Sequence, residues 1–473
     1  MKYKSVLTIL LVMLITISLA SCSGTVEVPG TDSGSPSSQS SGQRPGQPPS
    51  GGPGQQGGSG GGPGGAPGGS SSSSSISYSG AVEITSAETQ SGQSYASTTS
   101  DQSALLISTS EAVTITNPTV TKSGSSNGGD SCNFYGLNAA VLVKGGSTTT
   151  ISGGTITTDA SGANGVFSYG GNGGKNGASG DGTTVIISDT TITTTGSGSG
   201  GIMTTGGGIT IASNLTVTTS GQSSAAIRTD RGGGTVTVDG GTYTSNGLGS
   251  PAIYSTADIT VSNATLVSNL SEGVCIEGKN TITLVDCNLT ASNTKRNGNA
   301  QFLDTIMIYQ SMSGDADSGT SSFTMTGGTL TSKSGHVFHV TNTNAVINLS
   351  GVTIVNEDSE GILLSVCDDG WSGASNIATV NASAQTLTGT ILVGSDSKLT
   401  LNLKGNSTFT GTFSGVISNA SGKSISSSIG TVNVTVESGS TWVLSADTYI
   451  SSLTNNGTIE KGSYSLYVNG VEV

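Results

Sequence analysis

Charged residues whose side chains could bind a charged or hydroxylated ligand are concentrated at two places in this chain. In Arg228-Thr-Asp230 a base and an acid alternate, which on a strand would place both on one exposed face. Asp304 is followed by Asp315 and Asp317, and carboxylate oxygens are the ligands that hard cations such as Ca²⁺ prefer. Arg228 and Asp230 are therefore candidate binding residues, and the three aspartates are a candidate Ca²⁺ site; the alternative for both groups is that they are solvated loop charges.

Aromatic rings accompany polar residues at three further positions. Asp368 and Asp369 precede Trp371, and Tyr135 and Tyr169 lie in or beside glycine-rich segments. A sugar ring stacks its C–H face on an aromatic ring while polar neighbours bind its hydroxyls, so these five residues are candidate carbohydrate contacts. The alternative is that each ring covers the core beneath a loop, and the sequence does not decide between the two.

The histidines and cysteines give weaker signals. His336 and His339 are the only histidines, and they flank Phe338, so a metal pair and an ordinary strand surface are both open. Four cysteines remain beyond position 22, at spacings that match no metal motif: Cys132, Cys275, Cys287 and Cys367. They could form two disulfides or fill the core as small apolar residues.

The first residues have the layout of an export signal. A basic start precedes an apolar run from Val6 to Ala20, and the run ends in Leu19-Ala-Ser-Cys22. This ending resembles the lipobox of bacterial lipoproteins. The resemblance implies cleavage after residue 21, acylation of Cys22 and attachment to the cell membrane or outer membrane. We therefore predict a surface-exposed, extracytoplasmic protein held to the membrane by its N-terminal lipid.

Residues 22–75 are predicted to be a disordered linker. They are rich in glycine, serine and proline, and they contain too few apolar side chains to offset the entropy of ordering. Cleavage would remove Lys2 and Lys4 and no acid, which lowers the net charge from −13 to −15. An acidic chain with sparse, scattered bases is a poor partner for nucleic acid, so we predict none.

A six-residue unit recurs from residue 76 onward. It consists of an aliphatic residue, any residue, a turn residue, any residue, Thr or Asn, and an apolar residue. A looser copy, with one extra residue, spans Ile211 to Val217. The regular copies begin at Ile115, Ile151, Ile187, Val238, Val261, Leu284, Met325 and Leu349.

A second aliphatic anchor precedes most of these units, at spacings of 21 to 26 residues where no insertion intervenes. A period of this length predicts a solenoid, and glycine with β-branched residues excludes a helical one. The anchors are Val141, Val166, Ile202, Ile227, Ile253, Val274, Ile306, Val337 and Ile362. We predict an all-β fold: a right-handed parallel β-helix (solenoid) with loop insertions, at 76–395, and C-terminal coils with a cap, at 396–473.

These repeats resemble the β-helix proteins of the pectin-lyase-like superfamily, and more narrowly carbohydrate-binding or adhesin-like surface lipoproteins. Polygalacturonase-like members carry paired aspartates, Gly-His-Gly and Arg-x-Lys. Asp368-Asp369 matches the pair, but Gly335-His336 is followed by Val337 and precedes the aspartates, and the chain has no Arg-x-Lys. We therefore expect a non-catalytic protein that binds polysaccharide or a cell-surface glycan.

Three alternatives stay open at this point: a lyase or hydrolase of polyuronates, a structural component of the envelope or matrix, and an ice-binding surface. The last depends on the continuation of the hexamer as Thr-apolar-Thr, as in Thr155-Ile-Thr157 and Thr191-Ile-Thr193. Strand alternation turns both threonines outward, so stacked coils would form two threonine columns. Such columns resemble the ice-facing surfaces of some β-solenoid proteins, although threonine is also an ordinary solvent-facing strand residue.

Overall fold

The computed structural model describes residues 76–371 and 373–473. The predicted signal peptide, Cys22 and the linker lie outside the described residues. Successive strands of the described part enter sheets A, B and C in turn, and all three sheets are parallel. The fold is the predicted right-handed parallel β-helix. Among the described residues, no helix is long and apolar enough to cross a membrane.

Sheet A is formed by fifteen of the described strands. They are β1 (Gly80–Ile84), β4 (Ser103–Ser108), β7 (Val141–Lys144), β10 (Val166–Tyr169), β13 (Ile202–Thr205), β16 (Ile227–Thr229), β19 (Ile253–Ser255), β22 (Val274–Glu277), β25 (Asp304–Tyr309), β28 (His336–Thr341), β31 (Ile362–Val366), β33 (Thr386–Val393), β35 (Thr408–Ser414), β39 (Thr441–Leu444) and β42 (Thr458–Glu460).

Sheets B and C contain fourteen and ten of the described strands. Sheet B has β2 (Glu88–Ser91), β5 (Ala112–Thr116), β8 (Thr148–Ser152), β11 (Thr184–Ser188), β14 (Gly208–Ser213), β17 (Gly234–Asp239), β20 (Asp258–Ser262), β23 (Thr281–Val285), β26 (Thr320–Thr326), β29 (Asn344–Ser350), β32 (Asn376–Ser383), β34 (Ser397–Lys404), β38 (Thr431–Val436) and β41 (Ser452–Asn455). Sheet C has β3 (Ser94–Ser97), β6 (Thr119–Lys122), β9 (Thr155–Thr158), β12 (Thr191–Thr194), β15 (Thr216–Thr219), β18 (Thr242–Ser245), β21 (Thr265–Ser268), β24 (Asn288–Ala291), β27 (Thr329–Ser332) and β30 (Thr353–Asn356).

The remaining elements are short. One helix, α1 (Asp130–Tyr135), lies in an insertion. Strands β36 (Val416–Ser418) and β37 (Ser424–Ser427) form an antiparallel hairpin. Strands β40 (Thr448–Ile450), β43 (Leu466–Val468) and β44 (Val471–Glu472) form a small sheet at the C-terminal end.

The recurring hexamer is the corner between sheets B and C. Its third residue has a positive φ in every copy, for example 52° at Asp189 and 50° at Asp286, which is the backbone conformation that asparagine, aspartate and glycine tolerate best. The looser copy is in fact regular. Ala212, rather than Ile211, pairs with Val238 and points inward, while Ile211 is 44% exposed.

The aliphatic anchors form one inward column of sheet A. Val166 pairs with Val141 and with Ile202, and the pairing continues rung by rung to Ile306. Beyond that point the predicted anchors are wrong by one and two residues, because Ile306 pairs with Phe338, and Phe338 pairs with Leu364. The insertion at 310–319 precedes this shift.

The coil changes shape after β30, where sheet C ends. Strand β33 is eight residues long and contains Gly389, whose φ of 126° is unfavourable for other residues. From there the coils consist mainly of sheets A and B. Fully buried Trp442 packs against Phe409 and Phe413 in these last coils, and its Nε1–H donates to the Gly411 carbonyl at 3.1 Å.

The outer face of sheet A is covered rather than exposed to solvent. Its outward residues Met203, Cys275 and Met307 are fully buried. Insertions supply the cover, as the 2.7 Å hydrogen bond from Thr205 Oγ1 to the Phe134 carbonyl of α1 illustrates. This covering layer contains most of the residues predicted to be functional.

Candidate binding groove

A polar groove lies at the corner between sheets A and B. It encloses about 510 Å³, within the usual size range of ligand sites. We call it the corner groove. Its floor crosses four successive rungs at the starts of β14, β17, β20 and β23, and its walls are two insertions. The lining residues are Asn176–Gly180, Gly207, Ile209, Gly232–Thr235, Thr256–Asp258, Lys279, Asn280, Ala316 and Asp317.

Side-chain hydrogen bonds fix the first wall, the insertion at 170–182. Asn172 Nδ2 donates to the Ala178 carbonyl at 2.9 Å and to the Gly232 carbonyl at 3.0 Å. Asn176 accepts from the Gly232 N–H at 3.2 Å and donates to the Gly314 carbonyl at 3.3 Å. The wall is therefore fastened both to the floor and to the opposite wall.

Two ion pairs lie on the second wall, the insertion at 310–319, and the one between Arg231 and Asp315 holds it. Asp315 accepts from Arg231 Nε at 2.9 Å, and the Arg231 guanidinium lies over the Phe134 ring at 4.3 Å. Lys279 Nζ lies 2.9 Å from Asp317 at the groove itself. Both partners of that second pair are about half-exposed, so it contributes little to stability and its groups can bind a ligand instead.

Buried Glu277 anchors the beginning of the same wall. Its carboxylate accepts from Tyr254 Oη at 2.5 Å, from Tyr309 Oη at 3.0 Å and from Ser313 Oγ at 3.3 Å, and it also contacts Ser311 Oγ. Burial raises the pKa of Glu277, and these hydroxyl donors offset part of the rise. The hydroxyl network holds the segment that carries Asp315 and Asp317.

Arg228 and Asp230, two predicted binding residues, form a buried ion pair instead of an exposed one. The distance from Arg228 Nη2 to Asp230 Oδ2 is 2.6 Å, and the side chains are 8% and 4% exposed. Burial raises the pKa of Asp230 to about 6, although Arg228 opposes the rise. Asp230 Oδ1 accepts from the Arg231 N–H at 2.9 Å. The pair therefore supports the wall beneath Arg231 and is almost entirely shielded from solvent.

The predicted tyrosines and tryptophan cover the core. Tyr169 is 8% exposed and meets Tyr135 edge-to-face at 5.9 Å, above Phe167. Trp371 is 4% exposed, and its ring lies 4.9 Å from that of Tyr309. Tyr169 and Trp371 are too buried to present the free ring face that a stacked sugar requires, so the core-covering alternative describes these two, whereas Tyr135 is half-exposed.

Asp369 belongs to a buried hydrogen-bonded chain. Its carboxylate lies 3.1 Å from His339 Nε2, and Ser365 Oγ lies 2.7 Å from Nδ1 of both His339 and His336. The side chains of His339 and Asp369 are fully buried, and Ser365 is buried too. This serine, histidine and aspartate set cannot reach a substrate, so its role is structural. Asp368 is exposed and accepts from Asn376 Nδ2 at 2.6 Å.

The structure does not bring Asp304, Asp315 and Asp317 together as ligands of one cation. Asp315 pairs with Arg231 and Asp317 with Lys279, while Asp304 is fully buried. Burial raises the pKa of Asp304 well above its ordinary value, and the neighbouring Glu272 raises it further. Within the described ranges, no group of three or more His, Cys, Asp or Glu side chains is arranged to hold a metal ion.

The four cysteines beyond Cys22 are free thiols, and all are buried. Burial is the main cause that raises the pKa of Cys132 and of Cys287. These two thiols fill the structure as small apolar groups, one of the two alternatives that the sequence left open.

Sequence reasoning missed the groove residues themselves. A repeated signal was available: the triplets 206–208 and 232–234 are both Gly-Gly-Gly, and they follow the anchors Ile202 and Ile227 by four and five residues. Glycines at equivalent positions leave an open floor because no side chain fills it. No motif marks the polar lining residues Asp258, Lys279 and Asn280, since only the stacking of coils brings them together.

Comparisons with known proteins add no relative: no protein-family model, no curated protein and no solved structure matches the chain. Membership of the pectin-lyase-like superfamily and lipoprotein status therefore stay predictions from the sequence.

Proposed function

We propose that this protein is a lipid-anchored, extracytoplasmic binding protein that holds a linear polysaccharide in the corner groove without cleaving it. The observation that carries the proposal is the groove, a polar channel that runs across four rungs of the helix. Three rung spacings of about 4.8 Å give a floor about 14 Å long, enough for roughly three sugar residues. The lipobox-like sequence ending in Cys22 supports the anchored location.

The groove lining matches the chemistry of a hydroxyl-rich ligand. Asn176, Asn280 and Thr235 supply side-chain donors and acceptors, and the glycines expose backbone amides and carbonyls. Asp258 and Asp317 outnumber Lys279, and the chain carries a net charge of −13. Repulsion of acidic sugars then favours neutral polysaccharides, such as glucans or mannans, over polyuronates.

The test is a glycan array on the full chain in detergent, followed by calorimetry with two glycine variants. Gly233 lines the groove at a φ of 62°, where a Cβ would meet nothing closer than 3.6 Å. Asparagine tolerates this conformation, so Gly233→Asn adds a side chain to the groove without removing a contact. Gly351→Asn is the matched control: it has the same conformation at a B–C corner, and its Cβ would be unobstructed.

We expect a neutral polysaccharide to bind the wild type and the Gly351→Asn control equally, and Gly233→Asn about tenfold or more weakly. Equal binding by both variants would remove the groove as the site. Release of shortened or unsaturated products would show that the protein cleaves the polysaccharide and would overturn the proposal of binding without cleavage. An array without any signal would also overturn it and would favour a structural role in the envelope or matrix.

The outer face of sheet C favours a second candidate, an ice-binding surface. Thr155, Thr191 and Thr216 pair in register along one column, and Thr157, Thr193 and Thr218 along the next. All six are exposed or half-exposed. A regular lattice of hydroxyl and methyl groups with rungs about 4.8 Å apart could order water. Thermal hysteresis during freezing, lost on Thr191→Lys, would support this candidate, and freezing without hysteresis would exclude it.

A further inference from the structure

Tyr449 and Tyr467 form a parallel stack at the C-terminal end of the helix. Their ring centroids are 4.6 Å apart and the planes differ by 8°. The two residues are register partners on neighbouring strands β40 and β43, so backbone hydrogen bonds fix the stack. No motif distinguishes these two from the other tyrosines among the eleven in the chain.

The stack is exposed, unlike the predicted aromatic contacts. Tyr449 is 52% exposed, and β40 is the edge strand of its small sheet, so Tyr467 covers one ring face only. Two stacked rings on paired strands form a flat aromatic surface that a ligand can reach. Rigid exposed rings are suited to stacking because little side-chain entropy is lost on binding.

Hydrogen-bonding groups surround the rings. Asp447 accepts from the Ser465 N–H at 2.8 Å, and Ser465 Oγ donates to Glu472 at 2.7 Å. Glu472 is also the cross-strand partner of Tyr467 on β44. A flat ring bordered by exposed carboxylates and a hydroxyl matches a pyranose, which presents a C–H face and equatorial hydroxyls.

We propose that the Tyr449–Tyr467 stack is a second carbohydrate subsite, at which a pyranose ring stacks on the free face of Tyr449. The proposal rests on the proposed function for its ligand class, but it uses no groove residue. In sheet B, six rung spacings separate β23 at the groove from β41 beside the stack, a distance of about 30 Å along the axis. One long polysaccharide bound at both subsites would gain avidity, whereas a short oligosaccharide would occupy them separately.

The test measures calorimetric binding of three probes to the full chain: hexamers of β-1,4-glucose, β-1,4-mannose and β-1,4-N-acetylglucosamine. The variants are Tyr449→Ala, Tyr449→Phe and, as a matched exposed tyrosine outside the stack, Tyr464→Ala. We expect two sites for a bound hexamer, with Tyr449→Ala about tenfold weaker at one of them. Tyr449→Phe and Tyr464→Ala should bind as the wild type does, since both retain the stacked ring.

Each outcome separates the subsite from the groove. Loss of one site in Tyr449→Ala together with loss of the other in Gly233→Asn supports both proposals. If Tyr449→Ala binds normally while Gly233→Asn does not, the subsite is overturned and the groove stands. The reverse pattern retains the subsite and overturns the groove. Failure of every hexamer to bind, or self-association that Tyr449→Ala abolishes, overturns the subsite, in the latter case in favour of a second copy of the chain.

Discussion

Replacing Arg228 by methionine should destabilise the protein strongly at pH 8 and less at pH 5. The substitution keeps an unbranched side chain but leaves the Asp230 carboxylate, 4% exposed, without its cation at 2.6 Å. Breaking a buried pair in this way costs about 3–5 kcal/mol. Burial has raised the pKa of Asp230 to about 6, above its value in the unfolded chain. The stabilising effect of its protonation is therefore complete below about pH 4 and is lost as pH rises through 6.

The magnitude follows from the same pKa. The rise from 3.8 to about 6 corresponds to roughly 3 kcal/mol of folding free energy between acid and neutral pH. Removing Arg228 takes away the charge that opposes this rise, so the pKa of Asp230 should rise further. Each additional unit makes the cost of Arg228→Met up to about 1.4 kcal/mol smaller at pH 5 than at pH 8.

Urea unfolding followed by tryptophan fluorescence at both pH values measures the difference. Arg228→Met/Asp230→Asn is the companion variant, and it should recover most of the loss because no unpaired charge remains. Equal destabilisation at pH 5 and pH 8, or a double variant no more stable than the single one, would refute the assignment of a buried, partly protonatable pair.

Three further predictions concern the core, a histidine and a corner. Trp442→Ala should lower the free energy of unfolding by about 3–5 kcal/mol, because it empties the aromatic cluster of the last coils; a loss below 1 kcal/mol in urea unfolding would mean that this end is not packed as described. His336 should stay neutral from pH 8 to pH 4, since burial lowers its pKa to about 3; NMR ring resonances that titrate near 6.5 would contradict this. Asp286→Ala should destabilise by about 1 kcal/mol, and Asp286→Asn by less, because alanine tolerates the φ of 50° poorly; equal urea midpoints for the two would oppose this explanation.

The helical coil could be predicted because every rung repeats the same physical requirement. Each hexamer needs a residue that tolerates positive φ at its third position, and each anchor must point inward, so the pattern recurs at a fixed spacing. Even the apparent exception at Ile211 disappears once Ala212 is placed in register with Val238. The inward residue of that copy was predicted wrongly because it is Ala212, which is smaller than the aliphatic residue at this position in the other copies.

The covering layer could not be predicted, because no periodicity governs it. Arg231 and Asp315 are 84 residues apart, and only the fold of the insertion at 310–319 brings Asp315 to the turn that carries Arg231. The sequences around Trp371 and Tyr169 are typical of exposed binding loops, yet both side chains are buried beneath insertions. Residue type alone does not distinguish an aromatic ring that covers the core from one that is exposed and available to a ligand.

The tyrosine stack is the converse case, in which exposed rings were not predicted from the sequence. Tyr449 and Tyr467 lie in a segment whose sequence resembles any terminal coil, and only the pairing of β40 with β43 aligns their rings. The groove, too, depends on stacking: Gly207, Gly233 and Asp258 come from three successive coils. Both surfaces depend on the register of neighbouring strands, which cannot be recognised in any single segment of the sequence.

Hydrogen–deuterium exchange of the full chain, with and without a bound neutral oligosaccharide, tests the central claim most directly. If the corner groove is the site, the ligand should slow exchange of backbone amides in residues 176–180, 232–235 and 279–280, which line it. Exchange in the threonine columns of sheet C should not change. Protection confined to sheet C, or to residues 367–371 beside Trp371, would contradict the assignment of polysaccharide binding to the groove.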